Sequence, residues 1–183
     1  MHLDDIARYR EQMLFGDLDE LHAINQSLEQ LAQTSYSDFL DLCSHLLDDP
    51  EPESHKKALW YLYRFGKRDN AYVEEKALAM LSETADRILR ARCIQALGTV
   101  GTASVYPTLL ACVEAGEEVS IRALAKQART EAQRQQALNL GREWLLSGVY
   151  RKREAALHAL GILSRLKRKR IRCWSPTRAI VMS

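Results

Sequence analysis

A chain of 183 residues is long enough to bury one sizeable core. Hydrophobic residues make up 46% and charged residues 27%, and eight Gly with four Pro are too few for a turn-rich β fold. The net charge of +2 hides a split, because residues 1–53 hold 13 Asp/Glu against 2 Lys/Arg and residues 54–183 hold 24 Lys/Arg against 11 Asp/Glu. Such polarity either steers partners or is neutralised within the fold. Leu, Ala, Glu, Gln, Arg and Lys dominate, and these side chains lose little freedom in a helix, so the expected class is all-α. The opening MHLDDIARYR is acidic and lacks an apolar h-region, so no secretory signal is expected and the cytoplasm is the expected location. The longest uncharged stretch, 93–113, is broken by Gly, Pro and Ser/Thr and makes a poor membrane span. Cys43, Cys93, Cys112 and Cys173 have no paired close spacing and read as buried thiols.

Taken in chain order, the first predicted helix covers Leu3–Phe15 and stops at Gly16. The second is capped by Asp17 with Glu20 and carries Leu18, Leu21, Leu28 and Leu31 on one side. Ser35 with Asp38 offers the next N-cap, and Phe39, Leu42, Cys43, Leu46 and Leu47 recur at helical spacing. The acidic, Pro-rich run Asp48-Asp49-Pro50-Glu51-Pro52-Glu53 then turns the chain into a second stripe of Ala58, Leu59, Leu62 and Phe65. That stripe ends at Gly66, where a C′ glycine belongs. Two helices around a short corner make a helical hairpin.

The hairpin recurs. HKKALWYLYRFG (55–66), RARCIQALGTVG (90–101), RALAKQARTEAQ (122–133) and REAALHALGILS (153–164) align without gaps. The phase residue reads His55, Arg90, Arg122 and Arg153, at offsets of 35, 32 and 31 residues. One small position reads Ala58, Cys93, Ala125, Ala156 and another Tyr61, Ala96, Ala128, Ala159, which lets helices approach closely. First helices precede these at about 38–47, 72–82, 105–114 and 133–146; the third opens with Ser104 as N-cap and Pro107 in its first turn. The two N-terminal helices are expected to cover the open end of the array.

In LLDDPEPESHKKALWYL, RARCIQALGTVGTASVYPTLLACV and REAALHALGIL the chain resembles the HEAT-repeat family, including its short PBS-lyase-type variants. The resemblance covers about residues 35–166. It implies a right-handed α-solenoid of about four hairpins, preceded by an acidic N-terminal helical cap (1–34) and followed by a basic C-terminal tail (167–183). It departs from the family at the corner-Asp and helix-start-Arg ladder. The Asp slot reads Asp49, Thr84, Gly116 and Ser147, so Arg90, Arg122 and Arg153 are left available for other contacts. Arg129 and Thr130 stand where other repeats are apolar, so the third repeat's second helix is expected to be shifted or bent.

No catalytic or metal constellation stands out. The five histidines include no pair at i,i+4, and Cys43 and His45 at i,i+2 point apart on a helix. No phosphate-binding Gly-rich loop or G-x-S-x-G is found, and neither metal nor cofactor is expected. The candidate partner-binding residues are Lys57, Trp60, Arg64, Arg92 and Gln95. Lys57, Trp60 and Arg64 share one helix face opposite Ala58, Leu62 and Phe65, and Arg92 and Gln95 hold the same slots in the next repeat. Trp60 replaces residues that are polar in the other copies, Gln95, Gln127 and His158. Exposed Trp and Arg are the residue types that dominate binding hot spots. Two placements of Trp60 are open, in the groove or under the acidic N-terminal helices, while Tyr61, Tyr63 and Tyr72 read as packing residues. Five basic residues at 167–172 either hold phosphates, an acidic partner or an anionic surface, or are simply solvated.

Three functions are compatible with these features. The leading expectation is a non-catalytic protein-binding module, a scaffold, adaptor or immunity-type inhibitor that recognises another protein on the concave face of its second helices. A nucleic-acid binder is the alternative: HEAT-like alkylpurine DNA glycosylases cradle DNA in a basic groove with aromatic residues, to which Trp60 and Trp144 are similar in kind, but no carboxylate aligns with their site. An accessory subunit of a PBS-type lyase is the third.

Overall fold

The computed structural model describes the backbone of residues 3–173 and the side chains of residues 4–165. Helices α1 (Leu3–Phe15) and α2 (Leu18–Thr34) come first and pack against the pair that follows. That pair is α3 (Tyr36–Leu47) with α4 (Pro52–Phe65). Then come α5 (Ala71–Glu83) with α6 (Arg87–Val100), α7 (Tyr106–Glu114) with α8 (Ser120–Gln127), and α9 (Glu131–Leu145) with α10 (Tyr150–Cys173). The second member of each pair packs on the next, α4 on α6, α6 on α8 and α8 on α10. Among the described residues there is no strand, and no helix is long and apolar enough to cross a membrane.

The core lies along this row of second helices. Ala58, Cys93, Ala125 and Ala156 are all 0% exposed, as the recurring small position requires. Gly98 marks the tightest crossing: a Cβ added there would sit 2.6 Å from the Cα of Ala123, so α6 and α8 meet backbone to backbone. Tyr61, in a slot that is Ala elsewhere, is buried, and its hydroxyl donates to Asn25 Oδ1 at 2.8 Å. Burial pushes that phenol up to about 12. Cys43, Cys93 and Cys112 are buried free thiols; burial pushes all three up, Cys93 to about 12.

Several local expectations need correction. Asp17 and Glu20 do form a reciprocal capping box, but Leu18 is exposed, and the apolar face of α2 is Ile24, Leu28 and Ala32. Ser35 occupies the N-cap of α3, yet its hydroxyl donates to Asp38 Oδ2 at 2.6 Å instead of accepting a backbone N–H. Gly66 is extended rather than left-handed; its glycine is demanded by proximity, since a Cβ would fall 2.3 Å from Val100 Cγ1. Ser104 lies within a 3-10 turn, Ala103–Val105, capped by Thr102, and its hydroxyl donates to Glu74. Glu74 also accepts from the Thr102 N–H at 2.6 Å, which leaves a buried carboxylate bonded from two sides.

The helix-start residues are mostly not available for other contacts. His55 Nε2 lies 2.6 Å from the carbonyl oxygen of Asp49, Arg90 Nη1 donates to that of Thr84 at 3.5 Å, and Arg153 Nη1 to that of Ser147 at 3.1 Å. The acceptor is the backbone six residues back, so the side chain in the Asp slot is immaterial. Arg90 further donates to the Leu81 carbonyl at 2.8 Å and pairs with Glu117 at 2.5 Å.

The third repeat departs from the gapless alignment in its second half: Ala125 keeps the small position, but Gln127, in the slot of Trp60 and Gln95, is buried and Lys126 lies outward instead. Arg122 is turned out of the core. Gln127 is 0% exposed and donates to the carbonyls of Leu97 at 3.1 Å and Gly101 at 3.0 Å. The helix stops there, because Ala128 is extended and Arg129 reaches back to donate to the Gly101 carbonyl at 2.9 Å and to Asp69 at 2.8 Å.

Candidate functional site

The exposed face of α4, α6 and α8 collects the candidate residues. On α4 the helical repeat sets Lys57, Trp60 and Arg64 on the side away from Ala58 and Leu62, which are sealed in the core. On α6 the same phase sets out Arg92 and Gln95 against buried Cys93, Ile94, Ala96 and Leu97. Lys57, Trp60 and Arg92 line one cleft of about 420 Å3, together with Leu21 and Asn25 of α2 and Ile88 of α6. Arg64 is placed over the Trp60 ring at 5.0 Å from its centroid, and Arg92 Nη1 donates to Gln95 Oε1 at 3.1 Å. All five candidates therefore belong to one connected patch. Trp60 is half-buried against the core, and Leu21 and Asn25 of α2 line its cleft.

Three further residues extend the patch. Tyr63, Arg122 and Lys126 line a shallow depression with Gln95 and Ile162. The Lys126 ammonium sits 4.4 Å from the Tyr63 ring centroid and donates to Thr99 Oγ1 at 3.1 Å. Lys126, not Gln127, is thus the α8 counterpart of Trp60 and Gln95. The gapless alignment hid it by turning the wrong neighbour outward.

Among the described residues, the cations of this face have no carboxylate partner. Lys57, Arg64, Arg92, Arg122 and Lys126 form no ion pair with a carboxylate among the described residues, whereas Lys56 pairs with Asp86 at 2.8 Å, Arg129 with Asp69 at 2.8 Å and Arg134 with Glu131 at 3.1 Å. Burial holds Arg92 below the usual guanidinium range, and burial followed by repulsion from Arg122 and Arg68 holds Lys126 below the usual ammonium range. Two cations are therefore partly withdrawn from water without a counter-charge, an arrangement whose cost falls when an anion arrives. Glu53, the carboxylate at the cleft, is engaged by Lys56 at 2.7 Å.

Other candidates lie elsewhere. Trp144 is buried between α9 and its surroundings under Lys152, whose ammonium is 5.2 Å from its ring centroid, and it takes no part in the patch. Tyr72 donates to Asp48 Oδ2 at 2.6 Å, a structural contact that, after burial, helps push its phenol up to about 12. Helix α10 runs on to Cys173, so the backbone of the basic stretch at 167–172 is helical; residues 174–183 of the expected tail lie outside the described residues. Among the described residues no group of three or more His, Cys, Asp or Glu is placed to hold a metal ion. Comparison of the chain with models of known protein families, with characterised proteins and with solved structures finds no match.

Proposed function

We propose that this chain is a non-catalytic protein-binding module of the HEAT-repeat kind, a solenoid whose second helices line a concave face and dock a partner protein there. The observation that supports this most is the convergence of Lys57, Trp60 and Arg92 on one cleft, with Arg64 and Gln95 attached to it. A half-buried indole flanked by cations has the composition of an interface hot spot. The ordered packing of α4 on α6, α6 on α8 and α8 on α10 favours a stacked array, in which each pair covers its neighbour. The three described thiols, Cys43, Cys93 and Cys112, are in the core, which leaves them to packing rather than nucleophilic chemistry. Scaffold, adaptor and immunity-type inhibitor are all roles that a docking face of this kind serves.

The test is capture on the immobilised full chain with Trp60→Ala beside it. Partner retention should survive moderate salt and fall by about tenfold or more when the indole is removed, as loss of a hot spot does. Retention that is indifferent to Trp60→Ala would refute this face as the docking surface. The unpaired cations favour a second reading, nucleic-acid binding, for which retention would instead fall steeply and continuously with salt.

A further inference from the structure

We propose that the patch on α4, α6 and α8 takes an extended acidic stretch of the partner, with carboxylates on Arg92 and Lys126 and an apolar side chain beside Trp60. This deepens, and rests on, the protein-binding reading above.

Charge complementarity is the first support. Arg92 has five N–H donors, and its single hydrogen bond among the described residues is to Gln95. That contact fixes the guanidinium and leaves donors for a carboxylate, with which Arg pairs in bidentate fashion. Lys126 is held in place by Tyr63 and Thr99, and Arg122 adds charge beside it. Because both cations are already partly desolvated in the free protein, an incoming carboxylate meets an oriented charge rather than a hydrated, mobile one.

Shape is the second support. The cleft at Trp60 is within the roughly 300–1,000 Å3 span of ligand pockets. Its Leu21 and Ile88 offer apolar surface. The depression at Lys126 is only about 30 Å3, enough for a carboxylate to rest on and too shallow for a side chain to enter. The Arg92–Gln95 hydrogen bond joins the two, which gives a track with an apolar end at α2 and a cationic end at α8.

The aromatic rings argue against a nucleic acid. Bases stack on free ring faces. Here Arg64 covers a face of Trp60 and Lys126 a face of Tyr63, so the rings act as seats for cations. The wall opposite Trp60 also belongs to the segment 1–53, with its 13 acidic residues against 2 basic ones, which a polyphosphate would have to run beside.

The test uses the full chain panned against a display library of linear random peptides, with fluorescein-labelled oligothymidylate titrated in parallel. Recovered peptides should carry clustered Asp/Glu next to one aromatic or large aliphatic residue. A synthetic copy of one should bind about tenfold or more weakly to Arg92→Glu and to Lys126→Glu. Arg92→Gln and Lys126→Gln, with circular dichroism to show that they fold, should weaken it less, and Arg142→Glu on exposed α9 should leave it unchanged. Peptides without acidic residues, or equal loss with Arg142→Glu, overturn the proposal. Peptides that depend on Trp60 but not on either charge overturn it while the docking face stands. Binding indifferent to Trp60 and to both charges removes both. Recovery of no peptide, with salt-sensitive oligothymidylate binding lost in Arg92→Glu, replaces the acidic polypeptide with single-stranded nucleic acid.

Discussion

Gly98 has nowhere to put a methyl group, because the Cα and Cβ of Ala123 already occupy its place at 2.6 Å. The obstacle is backbone rather than a flexible tip, so Gly98→Ala must push α8 off α6; urea unfolding should show a loss of about 1–3 kcal/mol, the usual range for overpacking. Asp49 sets a different condition, on pH. The hydrogen bond and charge of Arg10 lower its carboxyl from an ordinary 3.8 to about 2, so its stabilising effect is complete above pH 3.8 and is lost as pH falls through about 2. The urea midpoint of the native chain should decline across that window, and more steeply than that of Asp49→Asn; parallel profiles would mean that the pair contributes nothing. At this scale the candidate face was largely legible. Trp60, Arg92 and Gln95 follow directly from which side of each helix is apolar. On α8 the spacing of Ile121, Leu124 and Ala125 turns Arg122 and Lys126 outward, but the gapless alignment put Gln127, about 100° away from Lys126, in the slot of Trp60 and Gln95.

Among the elements, α8 carries the largest departure from the repeat. It ends at Gln127, whose amide bridges the carbonyls of Leu97 and Gly101, and whose oxygen accepts from Arg129 Nε at 3.3 Å. Arg129 Nη2 donates to the same oxygen at 3.3 Å, and Gln127→Leu keeps the volume and removes all four bonds. A cost of about 1–3 kcal/mol is expected, with faster amide exchange around Gly101 and Thr102; a stability equal to the native chain would show that water replaces the amide without penalty. Helix existence and order were readable throughout, since apolar periodicity and the corners Asp48–Glu53 and Gly101–Ser104 delimit the elements. The caps were read less well. Ser35 stands at its N-cap and Ser104 in the 3-10 turn before α7, but each hydroxyl donates to a carboxylate, Asp38 or Glu74, and that bond rather than a helix N–H sets the side-chain orientation. Local sequence does not reveal such a bond when the carboxylate comes from another helix, as Glu74 does.

For the molecule as a whole, the division between an acidic first third and a basic remainder is partly cancelled by pairs that cross between helices. Arg10 on α1 meets Asp49 before α4, Lys56 on α4 meets Asp86 before α6, and Lys76 on α5 meets Asp48 after α3. Among the described residues, the candidate row on α4, α6 and α8 forms none of these ion pairs. Because α1 and α2 pack chiefly on the first pair, they should open at lower free energy than α6, which is flanked on both sides. Arg10→Ala should therefore raise hydrogen exchange in α1 several-fold and leave α6 unchanged, and a uniform rise along the chain would contradict that hierarchy.

The sealed sulfhydryls distribute along the same hierarchy. Cys43 belongs to α3, Cys93 to α6 and Cys112 to α7, one for each of three successive pairs. A thiol-specific reagent can attack only after water reaches the sulfur and the proton leaves, so each position reports the opening of its own pair. With Cys173 replaced by serine, the native chain becomes a three-channel recorder of its own melting: coincident modification rates would mark a single cooperative block, and a graded series would mark unzipping from one end.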